Sequence, residues 1–322
     1  MNSSNTTEHY TTENDTDYSH HCNIYNILWN NEYVIDISIL VIGFPIICLA
    51  IYSLYQLIRA DMVVPIYIIN LLNSDLLQII ARPARIVMKM ACNHYTYKMA
   101  FKMYNMIFNV GQSASMWFMV CIALDRYLVV AHPLWYRYHR SIRHATLVSA
   151  AVWVLALVFP AIYFIYYYTE EYSVYNLIYD ILLSILFLLP FPLLVFFFVG
   201  TWRAIADATS VRHAEKRRIL RVLALVLGTY TVLFLPFCIV YLMYWYSEYK
   251  PYIAYKITSK IVYLSALVDP VLYIFIRPDV RNTLGSLPCC QRLFTLTNCW
   301  TPRDEQEETE YTATVSSTVT SV

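Results

Sequence analysis

Residues 99–131 read MAFKMYNMIFNVGQSASMWFMVCIALDRYLVVA. Apart from Lys102, no charged residue interrupts the run until Asp125 and Arg126, close to its end. A helix needs roughly 20 mostly apolar residues to cross the hydrocarbon core of a bilayer. This stretch meets that requirement, and it carries a charged pair at one boundary. Six further runs pass the same test, at 33–58, 65–91, 144–168, 174–206, 216–246 and 252–276. The fourth and fifth spans are the least cleanly separated, with Glu170, Glu171 and a few polar residues between them. The expected fold is an all-α membrane protein, a seven-transmembrane helix bundle with a short amphipathic helix after the seventh span.

Composition agrees. The chain is 59% hydrophobic and 14% charged, whereas soluble domains carry about a quarter charged residues. Thirty tyrosines suit a protein with much surface at the lipid–water boundary. With 5 glycines there is no phosphate-cradling loop, and no nucleic-acid partner is expected. Residues 1–32 are polar and acidic and lack the basic-then-apolar pattern of a cleaved signal peptide. The first span is therefore expected to act as its own insertion signal. The four expected units are an extracellular glycosylated tail (1–32), a seven-transmembrane domain (33–276), a membrane-surface helix (277–294) and a disordered cytoplasmic tail (295–322).

Loop charge sets orientation. Arg137, Arg140, Arg143, Arg212, Lys216, Arg217, Arg218, Arg221, Arg277 and Arg281 all fall on one side of a seven-span arrangement, which is expected to be cytoplasmic. The N-terminus is then outside, and Asn2, Asn5 and Asn14 head three glycosylation sequons there. The expected location is the plasma membrane.

Asp125-Arg126-Tyr127 is a weak motif alone, but its neighbours strengthen it. Ala131-His132-Pro133-Leu134 follows it, and Trp153 lies in the next span. Phe234-Leu235-Pro236-Phe237 lies in the sixth span, and Asp269-Pro270-Val271-Leu272-Tyr273 closes the seventh. In that order, one per helix, these resemble the rhodopsin-like (class A) G-protein-coupled receptors, over about residues 33–290. The resemblance implies a heterotrimeric G protein as partner, with arrestin and receptor kinases. It implies a switch built from Asp125, Arg126, Tyr127, Phe234, Pro236, Asp269, Pro270 and Tyr273. A charged Arg near the membrane boundary is costly unless paired or solvated, and Asp125 is its natural resting partner. Asp75, Ser115, Ser265 and Asp269 stand where relatives hold a sodium ion; no other cofactor is expected. An enzyme would need a nucleophile–base pair or metal cluster within the spans, and no His lies at mid-membrane depth. A transporter would need repeats or paired half-helices, and none is evident.

Four departures from the pattern stand out. Ile47 replaces the usual first-helix Asn, Phe234 the sixth-helix Trp, Gly200 the fifth-helix Tyr, and Phe101 the third-helix outer Cys. Without that Cys the usual outer disulfide cannot form, and looser basal switching is expected. Cys22 and Cys92 are the two cysteines expected outside, and two thiols in an oxidising compartment are expected to pair. Inside, Cys289 and Cys290 follow the seventh span at a position suited to palmitoylation. Thr320 and Val322 end the chain as a strand-addition ligand of a PDZ protein would. The Ser/Thr cluster at 312–321 suits kinase and arrestin control.

The ligand is read from the second span. Arg82, Arg85 and Lys89 lie in its outer half. At about 100° per residue they share an arc of roughly 80° with Asp75, and Pro83 is the residue that could rotate this upper part. Intramembrane cations normally face the bundle interior and find a partner; Asp36 is the obvious one. Phe108 and Gln112 form a neighbouring stripe with Ser115 on the third span, readable as a pocket wall or as ordinary packing. An anionic lipid or small anion is the expected ligand, and membrane lipid an expected partner. A peptide carboxylate, proton sensing through His20, His21 and His94, and constitutive activity without a ligand stay open. The runs at 43–49 and 130–134 are similar to proton-sensing and lysolipid receptors. The run at 133–137, with Leu235-Pro236-Phe237, is similar to Mas-related receptors.

Overall fold

The computed structural model of the chain describes residues 31–59, 66–90, 94–139, 141–169, 185–207, 213–246 and 251–276. In chain order the helices are α1 (Asn31–Arg59), α2 (Ile66–Ile80), α3 (Arg82–Met90), α4 (His94–Ala131) and α5 (Pro133–His139). They continue with α6 (Ile142–Thr169), α7 (Pro190–Asp207), α8 (His213–Thr229), α9 (Leu235–Tyr246), α10 (Tyr252–Val262) and α11 (Ser265–Ile276).

Five segments are single runs long and apolar enough to cross a membrane: Val34–Tyr55, Met99–Ala131, Ile142–Ile162, Ile185–Ala206 and Lys216–Met243. The second and seventh spans are each made of two shorter helices, and together the seven form a transmembrane bundle. The second bends at Ala81, between α2 and α3. Pro83, two residues on, has no N–H to offer Ile79, so the ladder is interrupted there. The seventh bends at Tyr263 and Leu264, where the Leu264 N–H donates only three residues back, to the Ile261 carbonyl at 3.0 Å. Hydropathy sums across both breaks and so reads each as one span. It also trims helix ends: α4 begins at His94 rather than 99, because a helix can continue past the apolar layer into the polar boundary. Of the expected fifth span at 174–206, residues 185 onward are described.

Large apolar side chains such as Val41, Val154 and Phe196 point outward, as they should where the surrounding solvent is hydrocarbon. The bundle is organised around α4, which packs against α2, α3, α6, α7 and α8. Its middle turns are wholly enclosed, with Ala114, Met116, Phe118 and Met119 buried. Close approach to α2 depends on Gly111: a Cβ added there would lie 2.8 Å from the Ser74 carbonyl oxygen and 2.9 Å from Gln78 Cγ. One turn before Ser74 on α2, Asn70 accepts a hydrogen bond from Trp153 Nε1 at 2.8 Å and donates to Ser149 Oγ at 3.3 Å. The second and fourth spans are thereby tied.

The sixth span widens before its proline. Between α8 and α9, residues Tyr230–Phe234 form a π-turn, closed by the Leu235 N–H donating to the Tyr230 carbonyl five residues back. Pro236 cannot donate, and the wider turn absorbs the mismatch next to it.

Candidate functional site

Three polar layers cross the bundle. The innermost holds Asp125 and Arg126 near the end of α4, with Arg126 Nη2 3.4 Å from Asp125 Oδ2. The other Asp125 oxygen accepts a hydrogen bond from the Tyr136 hydroxyl at 2.7 Å. Tyr136 comes from α5, in the inner loop that follows, and was not singled out from sequence. Both oxygens of Asp125 are thus engaged, and Arg126 is held against one of them. Tyr127 turns to α7, where Gly200 leaves room for its ring: an added Cβ would lie 2.7 Å from Tyr127 Cε2. Phe196 and Phe197 flank the ring, with centroids 6.0 and 5.6 Å away. The residue that replaces the usual fifth-helix tyrosine therefore makes space for the tyrosine of the third.

Higher in the sixth span, Phe234 is fully buried and stacks on Tyr230 at 5.5 Å. The Tyr230 hydroxyl donates to the Phe187 carbonyl of the fifth span, and Cys238 Sγ reaches the same oxygen at 3.5 Å.

The middle layer joins the second, third and seventh spans. Ser115 Oγ donates to Asp269 Oδ2 at 3.2 Å. Ser265 Oγ donates to Gln78 Oε1 at 3.3 Å, and Gln78 Nε2 donates to Asp75 Oδ1 at 3.4 Å. All five side chains are buried. Gln78 is the member that sequence reading missed; its place three residues after Asp75, on one helical face, was the available signal. Asp75 Oδ2 is buried and makes no hydrogen bond. A hard monovalent cation takes oxygen ligands, and two hydroxyls with two carboxylates, one of them carrying the orphaned oxygen, form a donor set that fits sodium. Pro270 follows Asp269 inside α11.

The outer layer is built on α3. Arg82 is its first residue after the bend, and Arg85 follows one turn later. Despite Pro83, both face inward: Arg82 is 0% exposed and Arg85 9%. Each donates through Nη1 to one oxygen, Oδ1 of Asp36 on α1, at 3.0 and 3.2 Å. Asp36 is itself fully buried. Aromatic rings complete the cage. The Arg82 guanidinium carbon lies 5.1 Å from the Phe108 ring centroid and 4.4 Å from that of Tyr263. That of Arg85 lies 5.4 Å from Tyr104 and 4.5 Å from Tyr263. Phe108 stacks on Tyr104 at 5.4 Å and meets Tyr263 edge-on at 5.2 Å. Arg82 Nε and Nη2 are buried and make no hydrogen bond. Gln112, one turn along α4 from Phe108, is buried as well. Tyr104 and Tyr263 were not expected as cage residues. In a chain rich in boundary tyrosines nothing marks them out, although Tyr104 falls four residues before Phe108 on the same face.

Asn2, Asn5, Asn14, Cys22, Cys92, Cys289, Cys290, Thr320, Val322 and the helix expected at 277–294 lie outside the described residues, as do the side chains of Lys89 and Tyr273.

A family model described as "7 transmembrane receptor (rhodopsin family)" matches residues 46–273. The human "Uracil nucleotide/cysteinyl leukotriene receptor" is 25% identical over 293 residues, 83% of this chain and 78% of its own length. The bovine "G-protein coupled receptor 68" is 26% identical over 276 residues, 79% of this chain and 76% of its own. The human "G-protein coupled receptor 65" is 26% identical over 256 residues, 69% of this chain and 75% of its own.

Proposed function

Because this chain belongs to the rhodopsin family of seven-transmembrane receptors, we propose that it transduces the capture of an anionic head group at Arg82 and Arg85. It is a multi-pass membrane receptor and not an enzyme, and its family implies a heterotrimeric G protein as partner. The N-terminus lies outside at the plasma membrane in this reading, following the basic inner loops.

The observation that carries the ligand assignment is the unmade donor edge of Arg82 in the outer layer. Two guanidiniums share one carboxylate oxygen, at 3.0 and 3.2 Å, inside a shell of aromatic rings. Arg82 Nε and Nη2 are buried and make no hydrogen bond, which is costly for a charged donor, and an anion entering from outside would satisfy both. Arginine is the side chain best suited to capturing a carboxylate or phosphate. The first relative's name gives support, since uracil nucleotides carry phosphates and cysteinyl leukotrienes carry carboxylates. Phe108, Gln112 and the surrounding apolar side chains would hold the remainder of the ligand, and Lys89 would extend the cationic stripe.

Transmission follows the contacts. Tyr263, packed on both guanidiniums, sits at the bend of the seventh span. Below the bend, Ser265 and Asp269 join the middle layer, and Ser115 links that layer to α4. α4 ends at the Asp125–Arg126 pair. A head group that shifts the arginines thus biases the bend, the middle layer and then the switch. Sodium in the middle layer would favour the resting arrangement by offsetting part of the negative charge of Asp75 and Asp269.

The test is a second-messenger assay with anionic agonists in cells. Arg85→Gln leaves Asp36 paired with Arg82 and should lower agonist potency by about tenfold, roughly 1.4 kcal/mol. Removing both arginines would strand the buried carboxylate, so that change is made together with Asp36→Asn. The triple variant should reach the surface and lose the anionic response. Unchanged potency in both variants would make this layer purely structural.

A further inference from the structure

We propose that Tyr104 is a specificity-determining residue of the outer layer: its hydroxyl and the Nε–Nη2 edge of Arg82 together seat an oxyanion, a carboxylate or phosphodiester whose oxygens accept from both side chains. The proposal rests on the reading that Arg82 and Arg85 bind an anion. It adds the shape of the anionic group and a further residue that holds it.

Buried polar groups are almost always hydrogen-bonded, and each exception calls for a reason. In the outer layer three buried donor atoms make no hydrogen bond: Arg82 Nε, Arg82 Nη2 and the Tyr104 hydroxyl. Both side chains are enclosed, Arg82 being 0% and Tyr104 5% exposed. Phe108 packs on both, its ring centroid 5.1 Å from the Arg82 guanidinium carbon and 5.4 Å from that of the Tyr104 ring. The Tyr104 hydroxyl is within electrostatic reach of the Arg82 guanidinium and of Tyr263. The unmade donors are therefore neighbours in one aromatic cage, contributed by α3 and α4.

The donors set the shape of their acceptor. A guanidinium is a rigid plane that donates only from its rim. At Arg82, Nη1 is taken by Asp36 Oδ1 at 3.0 Å. Nε and Nη2 present two N–H groups side by side, the edge that grips a carboxylate or phosphate through paired bonds. Each oxygen of such a group has a lone pair to spare, so one of them can also accept from the phenol. A monatomic anion cannot place two separate atoms on the two parallel donors, and a neutral amide offers one acceptor oxygen. Leaving a buried donor unmade is costly, and an oxyanion satisfies all three at once.

Thermal stabilisation of the purified full-chain receptor in neutral detergent tests this. Oleate and oleyl methyl phosphate (a singly charged diester) carry the two oxyanions on one chain, and oleamide replaces the anion by a neutral amide. Acetate, dimethyl phosphate and bromide, titrated at constant ionic strength, supply anions without the chain. Both oleyl oxyanions should half-saturate at least about tenfold below oleamide, and acetate at least about threefold below bromide. If the oleyl probes surpass their short counterparts, the anion comes from lipid; equal binding identifies a soluble one. Tyr104→Phe keeps the ring that stacks on Phe108 and removes only the hydroxyl. It should weaken both oleyl oxyanions by about tenfold, as expected for a hydrogen bond to a charged group. Without a probe it should melt no lower than the wild type, because the hydroxyl it removes has no bond to lose. Arg82→Lys keeps the charge but loses the fork, and should also weaken both by about tenfold. Adding Tyr104→Phe in that background should cost less than about threefold, since both side chains act on one group; a merely structural Tyr104 would cost the same in both backgrounds. Undiminished oleate affinity in Tyr104→Phe, a lower melting temperature of that variant without probe, equal losses in the two backgrounds, or bromide matching acetate would each overturn the oxyanion seat while leaving anion binding intact. Oleamide matching oleate, no stabilisation by any anion, or equal stabilisation of the Asp36→Asn/Arg82→Gln/Arg85→Gln variant would sink both readings. If Tyr104→Phe proves too unstable to purify, Arg82→Lys and the acetate–bromide order decide the matter.

Discussion

Arg126 is a charged side chain near the end of a membrane-spanning helix, where an unpaired cation is costly. Its contact with Asp125 at 3.4 Å is a partly exposed pair, and such pairs contribute little to stability. In the proposed reading its value is as a switch: a weak tie is easily exchanged for contacts with a cytoplasmic partner. Tyr136 strengthens the resting arrangement by holding the other Asp125 oxygen. Arg126→Ala should therefore abolish G-protein signalling while leaving surface expression close to wild type. Antibody labelling of intact cells alongside a second-messenger assay checks this, and full signalling at equal surface density would refute the switch. The Asp-Arg-Tyr run and its placement were legible in the sequence. Tyr136 was not, because one more tyrosine among 30 carries no signal.

Between helices, the fifth and sixth spans meet at the hydrogen bond from Tyr230 to the Phe187 carbonyl. Tyr230 opens the π-turn that precedes Pro236, where the sixth span bends. With Arg126 still on Asp125, this tie belongs to the resting arrangement. Tyr230→Phe keeps the ring that stacks on Phe234 and removes only the hydroxyl. A buried hydrogen bond contributes about 1 kcal/mol, which is roughly a fivefold change in a two-state population. Basal signalling should rise by up to that factor, measured without agonist at matched surface density; an unchanged or lowered basal level would show that the tie does not discriminate between the two states. Sequence reading located the spans well because apolar length is additive over about 20 residues. It marked Pro83 as the residue that interrupts the second span, but it did not see the break at Tyr263, which depends on which backbone bonds are kept. Nor did it see Gln78, a neutral residue whose role appears only when Asp75 and Ser265 are brought beside it.

Across the whole molecule, the three layers form one path from the outer arginines to the inner one. Asp36 joins the first span to the second, and Tyr263 couples that cluster to the bend of the seventh. Ser115 then connects the seventh to the third. The fold was readable because the motifs occur in order, one per helix. The outer layer was readable as a cationic stripe with Asp36 as its partner, but not as an aromatic cage, since Tyr104 and Tyr263 come from two other spans. The central claim is that anion capture at this cage drives the switch. The most direct measurement is guanine-nucleotide exchange on a purified G protein, driven by receptor reconstituted in neutral lipid, with oleate and oleyl methyl phosphate titrated as agonists. The account predicts anion-stimulated exchange by the wild-type chain, and basal exchange without anion response by the Asp36→Asn/Arg82→Gln/Arg85→Gln variant, in which the cage is neutral throughout. Superimposable concentration–response curves for the two proteins, or no anion response from the wild type, would contradict it.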